Sequence, residues 1–345
     1  MRRPTNPAGH RHMTPHEQAR PAGSVEAMKE ALELIREGES FMLVGHVRPD
    51  GDCVGAQGAL SRGLRSLGKD VVIVNPDPLG PEFGYLSSEC PFTSFDVAGV
   101  PDHDVCILLD FNELSRTGPM EDAIRAAPSK KLVIDHHPPR GEPWWDAAYL
   151  DPTASATGLL AWRVLGALGA EVDAVGAAGV YTSLATDTGW FRYSNTDAET
   201  MAVAAELLGR GVEPARLFQS INQRKPASEP HAMGRVLMRT EFHGDGRLAV
   251  VDQPLDDDLV VADSDAVLDV LRSVETVEVV LYVRELEPDL HKLSARSKTF
   301  FDVNALARQF GGGGHARASG ATLRGELGKI KASLVAAALE ELGRG

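Results

Sequence analysis

Three apolar runs in this chain stop abruptly on metal-ligating side chains, and this pattern constrains the fold more than any other. FMLVGH at 41–46, DVCILLD at 104–110 and KLVIDHH at 131–137 are uninterrupted hydrophobic stretches of strand length, and VVIVN at 71–75 is a fourth. A strand buried on both faces reads as a continuous apolar run, because neither face can afford polar alternation. Helical patterns lie around 25–37, near 53–67 and near 119–127, so strands and helices alternate. That alternation predicts an α/β domain built on a doubly wound parallel sheet. In such sheets ligands bind at the carboxyl ends of the strands.

The residues at those ends share one chemistry. GHVRPDGD at 45–52, LLD at 108–110, VIDHH at 133–137 and ATDTG at 185–189 bring His46, Asp50, Asp52, Asp110, Asp135, His136, His137 and Asp187 towards one small volume. Two hard divalent cations about 3.5–4 Å apart need several carboxylates, one of them bridging. Imidazoles among the carboxylates tilt the preference from Mg²⁺ or Ca²⁺ towards Mn²⁺. The three cysteines, Cys53, Cys90 and Cys106, form no C-x-x-C pair, so a structural zinc site fails on ligand supply. Taken alone, an Asp after a strand is a turn or cap residue. It is the ordered set of motifs that argues for a dinuclear metal site.

These motifs, followed late in the chain by GGGGHARASG at 311–320, resemble those of the DHH phosphoesterase superfamily over roughly residues 24–345. More narrowly, the chain is similar to the stand-alone nano-RNase and 3′-phosphoadenosine-5′-phosphate (pAp) phosphatase branch. The resemblance implies an N-terminal DHH domain with a smaller C-terminal α/β DHH-associated domain, and an active site in the cleft between them. It implies that His46 and Asp50 hold one metal, that Asp52, His136 and Asp187 hold the other, and that Asp110 bridges. His137 would touch the phosphoryl oxygens and Asp135 would orient a neighbour. Ser294, Arg296, Gly312, Gly313, Gly314, His315 and Arg317 would grip the nucleotide end away from the scissile bond. The implied reaction is hydrolysis of short oligoribonucleotides to mononucleotides and of pAp to AMP. A cyclic or linear dinucleotide phosphodiesterase is the main rival. A non-catalytic nucleotide sensor would show degraded metal positions, and an inorganic pyrophosphatase would lack the GGGGH motif.

Length and charge sharpen these expectations. With 345 residues, 43% of them hydrophobic, the chain can bury two cores. Expected boundaries are a disordered tail at 1–23, rich in Pro, Arg and His, a first domain at 24–222, a polar linker at 223–230 and a second domain at 231–345. The net charge of −14, with no basic run longer than a pair, argues against long nucleic acids and for substrates of two to five nucleotides. No apolar segment approaches the roughly 20 residues of a membrane span, which with the cysteine usage predicts a cytoplasmic protein. A homodimer stays open.

Four glycines at 311–314 read as costly for packing and suited to backbone N–H groups that approach a ligand, with a plain flexible hinge as the alternative. The same stretch matches G-x-G-x-x-A, yet the helical pattern VNALARQF precedes it where a strand would be required, so a dinucleotide fingerprint is rejected. Cys53, next to Asp52, reads as a small packing residue with oxidation sensitivity as the alternative.

Overall fold

The computed structural model describes residues 22–255, 261 and 264–343. The stretch 1–21, most of the expected tail, lies outside them, while residues 22 and 23 open the first helix. The described residues divide into two compact units between Arg224 and Lys225.

In the first unit, β1 (Ser40–Val44), β2 (Asp70–Asn75), β3 (Phe92–Ser94), β4 (Val105–Leu109), β5 (Lys130–Asp135) and β6 (Ala147–Leu150) form one sheet in the order β3-β2-β1-β4-β5-β6. Every pairing is parallel. The apolar runs are continuous because both faces are covered. Phe41, Leu43, Ile107, Leu109, Leu132 and Ile134 enter one core. Met42, Val44, Cys106, Leu108 and Val133 enter the other. The edge strands β3 and β6 were not anticipated, since three or four residues such as FTS and AAYL carry too little apolar signal.

The helices of this unit are α1 (Ala22–Glu37), α2 (Gly51–Ser66), α3 (Gly84–Ser87), α4 (Phe95–Ala98), α5 (Glu121–Ala126), α6 (Thr157–Leu168), α7 (Ala174–Asp187), α8 (Ala198–Gly209) and α9 (Pro214–Asn222). α2 starts two residues before the expected position because Asp50 caps it, accepting from the amides of Asp52 and Cys53. α2 and α7 pack antiparallel, backbone against backbone. A Cβ on Gly55 would stand 2.4 Å from the Gly179 carbonyl oxygen, and one on Gly179 would stand 2.7 Å from that of Gly55. Only glycine permits that approach. Gly51 meets Thr186 at one end of the pair, and Arg62 bonds Asp173 at the other. The start of α2, with Asp52, is thereby set beside the end of α7, with Asp187.

The second unit contains α10 (Ser228–Met238), β7 (Glu241–His243), β8 (Leu248–Gln253), α11 (Ser264–Arg272), β9 (Val279–Glu287), β10 (Leu290–Ser297), α12 (Val303–Gln309), β11 (Gly313–His315), β12 (Ala318–Arg324) and α13 (Leu327–Leu342). Its sheet runs β11-β12-β10-β9-β8-β7, parallel only between β8 and β9. Residues of α12 and α13 pack on one face and residues of α10 and α11 on the other. α10 takes in the last three residues of the stretch 223–230 read as a linker. Pro230 is tolerated there because the first helical turn needs no backbone donor. Among the described residues no helix is long and apolar enough to cross a membrane.

Candidate metal centre

The strand order of the first sheet reverses between β1 and β4, and the chain supplies ligands at that point. His46 follows β1, Asp110 follows β4, and His136 and His137 follow β5. A ligand site at the switch point is what a doubly wound sheet offers.

Asp110 is 4% exposed and lies between two histidines. Its Oδ2 is 3.5 Å from His46 Nε2, while its Oδ1 is 3.7 Å from His136 Nε2. Asp50 Oδ2 completes the first group at 3.9 Å from His46 Nε2. The second group gathers on His136 Nε2, with Asp52 Oδ2 at 3.4 Å and Asp187 Oδ2 at 3.8 Å. These separations exceed hydrogen-bond length and are those of atoms gathered around a shared centre. Within each of the sets His46–Asp50–Asp110 and Asp52–His136–Asp187, the ligating atoms lie within 4.8 Å of one another. The six metal-site residues expected from sequence are thus brought together in two groups.

Neighbouring groups fix how each ligand points. His46 Nδ1 lies 2.9 Å from the Val47 carbonyl oxygen and His136 Nδ1 lies 3.2 Å from that of Ala154. A carbonyl only accepts, so each Nδ1 carries the hydrogen and each Nε2 presents a lone pair inward. Asp52 is buried, and it accepts from the amides of Thr157 at 2.9 Å and Gly158 at 3.1 Å and from the Ser183 hydroxyl. Those amides open α6, which has no side-chain cap of its own, so Asp52 supplies one from a distance. Thr157 Oγ1 donates to Asp110 Oδ1 at 3.0 Å, linking the two groups. Asn195 Nδ2 reaches Asp187 Oδ2 at 3.2 Å.

Asp110, His136 and His137 form a third set whose ligating atoms lie within 4.8 Å of one another, and His137 differs from the other two in its buried carboxylate partner. Its Nδ1 and its backbone amide both bond Asp135 Oδ1, at 2.8 and 3.0 Å, and Asn112 Nδ2 donates to Asp135 Oδ2 at 2.6 Å. Asp135 is fully buried and orients His137, whose Nε2 is left to point elsewhere. The hydrogen bond to Asp135 raises the imidazole's pKa.

The electrostatics of the cluster call for cations. Burial, followed by Asp52, Asp50, Asp135 and Asp187, holds the Asp110 carboxyl well above its usual range. Burial, with Asp52 next, pushes Asp187 up to about 7. His136 Nε2 is buried with no hydrogen-bond partner. Buried carboxylates crowded around an orphaned lone pair are unfavourable alone and favourable around a divalent ion, so the donor set fits a metal. Asp110 also adopts φ 72°, a left-handed conformation that is strained for a non-glycine residue and that aims its carboxylate. Cys53 is fully buried, and burial, then Asp110, raises its thiol pKa well above normal, so it is a packing residue with no thiolate to oxidise.

The remaining expected residues lie in the second unit. Ser294 and Arg296 sit on β10, and Arg296 donates to Asp265 Oδ1 at 2.6 Å. His315 ends the exposed strand β11. Arg317 donates to the Phe301 carbonyl at 2.7 Å. The expectation for the four glycines needs correction. The amides of Gly311, Gly312 and Gly314 are spent on the Arg308 and Ala307 carbonyls and on Asn304 Oδ1, at 3.1, 2.9 and 3.0 Å. A Cβ on Gly312 would stand 2.2 Å from the Gly320 carbonyl oxygen, and one on Gly314 would stand 2.5 Å from that of Ala318. Two of these glycines therefore do serve packing, against β12. Sequence reasoning missed Thr157, Ser183, Asn112 and Asn195; the last three lie near the motifs, while Thr157 carries no local signal.

The profile of the DHH family N-terminal domain matches residues 40–184, and that of the DHHA1 domain matches residues 248–343. A bifunctional oligoribonuclease and PAP phosphatase NrnA of Thermus thermophilus is 35% identical over 324 residues, 92% of this chain and 95% of that protein. The Bacillus subtilis protein of the same name is 25% identical, over 85% of this chain and 92% of its own. An exopolyphosphatase-related protein from Bacteroides fragilis superposes with a TM-score of 0.84 at 27% identity, covering 92% of this chain and 96% of that one.

Proposed function

From the premise that the chain belongs to the DHH family, we propose that it is a phosphoesterase that uses two Mn²⁺ ions to hydrolyse short oligoribonucleotides to mononucleotides and pAp to AMP. The observation that carries this reading is Asp110, whose two oxygens face two separate imidazoles. His46 and Asp50 would hold one ion, Asp52, His136 and Asp187 would hold the other, and Asp110 would serve both. When bound, such a pair polarises a phosphoryl oxygen, generates an attacking nucleophile from water at neutral pH and neutralises charge on the departing oxygen.

The chain's own residues do the rest. Asp135 fixes the His137 ring through Nδ1 and raises its pKa, so the imidazolium form can donate from Nε2 to a phosphoryl oxygen of the substrate. Thr157 holds Asp110, and Asn195 holds Asp187, so neither carboxylate swings with the loops around it. In the second unit Ser294, Arg296, Gly313, His315 and Arg317 bind nucleotide, with Arg296 exchanging Asp265 for a phosphate.

Substrate length follows from charge. At −14 overall, phosphates beyond the site meet repulsion, which limits useful substrates to two to five nucleotides. The test is a time course with Mn²⁺ on RNAs of 2, 5 and 24 nucleotides, with pAp and a cyclic dinucleotide alongside. The dinucleotide and pAp should be turned over fastest. Equal or faster processing of the 24-mer would contradict the short-substrate reading, and preferred cleavage of the cyclic dinucleotide would move the protein to the rival class.

A further inference from the structure

We propose that Arg192 and Tyr193 form a nucleotide-binding subsite beside the metal centre, the tyrosine ring stacking on a base and the guanidinium taking a phosphate oxygen. The proposal rests on the nucleotide reading of the centre. It concerns two residues outside the metal ligands and outside the second unit.

The segment after α7 is built to present them. Gly189, Trp190 and Phe191 take φ of 56°, 59° and 63°, three successive left-handed residues, two of them bulky. The turn is closed by the Trp190 amide on the Ala185 carbonyl at 2.6 Å and by the Phe191 amide on Thr188 Oγ1 at 3.0 Å. Trp190 packs edge-on against Phe218 and Phe191 against Tyr181, with centroids 4.7 and 5.6 Å apart. These two rings anchor the turn on the protein body. The next two side chains face outward. Tyr193 is 42% exposed although it is aromatic, and its ring lies over Gly189, where any Cβ would come within 2.4 Å of it.

Arg192 is exposed and uses Nε on the Gly189 carbonyl at 2.7 Å, with its guanidinium carbon 5.9 Å from the Tyr193 ring centroid. It forms no ion pair among the described residues, so its charge is available. Asn195 closes the arrangement, bonding Asp187 through both the backbone oxygen and Oδ2 at 3.2 Å, and also the Ser155 carbonyl at 3.0 Å. The aromatic face and the neighbouring guanidinium are therefore carried on the same turn as Asn195, which bonds the carboxylate of Asp187. A ring with an arginine is the set that takes a base and its phosphate.

The experiment compares ApA with two analogues in which either the first or the second nucleotide is abasic, using the Mn²⁺-loaded full chain. Wild type should show a KM for ApA about tenfold below that for one of the analogues. Tyr193→Ala should erase that difference and Tyr193→Phe should keep it. Arg192→Ala should raise KM for all three roughly tenfold, with kcat within about twofold and Mn²⁺ content unchanged. If Tyr193→Ala keeps the wild-type preference at both positions, or if either alanine variant loses Mn²⁺ together with kcat, the subsite is wrong while the enzymatic reading stands. If wild type cleaves none of the three, both fall.

Discussion

Asp135 Oδ1 accepts two hydrogen bonds from His137, one from the ring Nδ1 at 2.8 Å and one from the backbone amide at 3.0 Å. One buried oxygen thus sets both the rotamer and the protonation of an imidazole beside the metal centre. Because this contact raises the pKa of His137, the ring holds its proton to higher pH than a free imidazole would. Asp135→Asn should lower kcat about 10–100-fold, leave Mn²⁺ content near wild type and move the alkaline limb of the pH–rate profile to lower pH. An unmoved alkaline limb would show that His137 does not act as a proton-bearing group.

Metal uptake should depend on pH with a definite sign. Asp187 titrates near 7 in the metal-free site, so it is protonated below that pH and ionised above it. A cation competes for the same oxygens, and Mn²⁺ affinity measured by calorimetry should tighten between about pH 6 and pH 8. In the folded, metal-free protein Asp187 also binds more protons than it does in the unfolded chain between about pH 4 and pH 7. The Asp187 contribution to stability therefore falls as pH rises through that window, and bound Mn²⁺ should abolish it. A pH-independent affinity would contradict this account.

Backbone contact between α2 and α7 should matter for chemistry as well as for stability. Gly55→Ala places a methyl 2.4 Å from the Gly179 carbonyl oxygen, a rigid neighbour that cannot turn away. We expect a loss of about 1–3 kcal/mol in thermal or denaturant unfolding, with weakened Mn²⁺ binding because Asp52 and Asp187 are pushed apart. Gly166→Ala, with open space around it, should leave both unchanged and serves as the control.

The parallel sheet and the metal-site residues were legible because the signal is local. Each of β1, β4 and β5 is an apolar run whose next residues carry the chemistry, so His46, Asp110 and His136 announce themselves. The supporting residues were not legible for the opposite reason. Thr157, the first residue of α6, acts on Asp110 from another segment, and Asn195 acts on Asp187 from a later turn; neither residue type carries a sign of its partner. Gly312 and Gly314 misled because a glycine fitted closely to β12 and a glycine facing a ligand look identical in sequence. β3 and β6 were too short to stand out.

Arg296 offers a test of the second unit's part in binding. Its guanidinium is one-quarter exposed and held by Asp265. Arg296→Ala should weaken nucleotide binding by about 1.5–3 kcal/mol, roughly ten- to a hundredfold, and leave Mn²⁺ content unchanged. Equilibrium binding of AMP together with metal analysis separates the two. Loss of metal, or unchanged affinity for AMP, would contradict the assignment.

The central claim is that Asp110 joins two cations, and titrating Mn²⁺ into wild type and Asp110→Ala tests it most directly. Asp110 faces His46 through one oxygen and His136 through the other, so its loss removes a ligand from each group and leaves two cations to repel at close range. Wild type should bind two Mn²⁺ per chain, while Asp110→Ala should lose tight binding of both and fall below a few per cent of wild-type hydrolysis. A wild type that binds a single Mn²⁺, or an Asp110→Ala variant that keeps two ions and substantial activity, would contradict the bridging role.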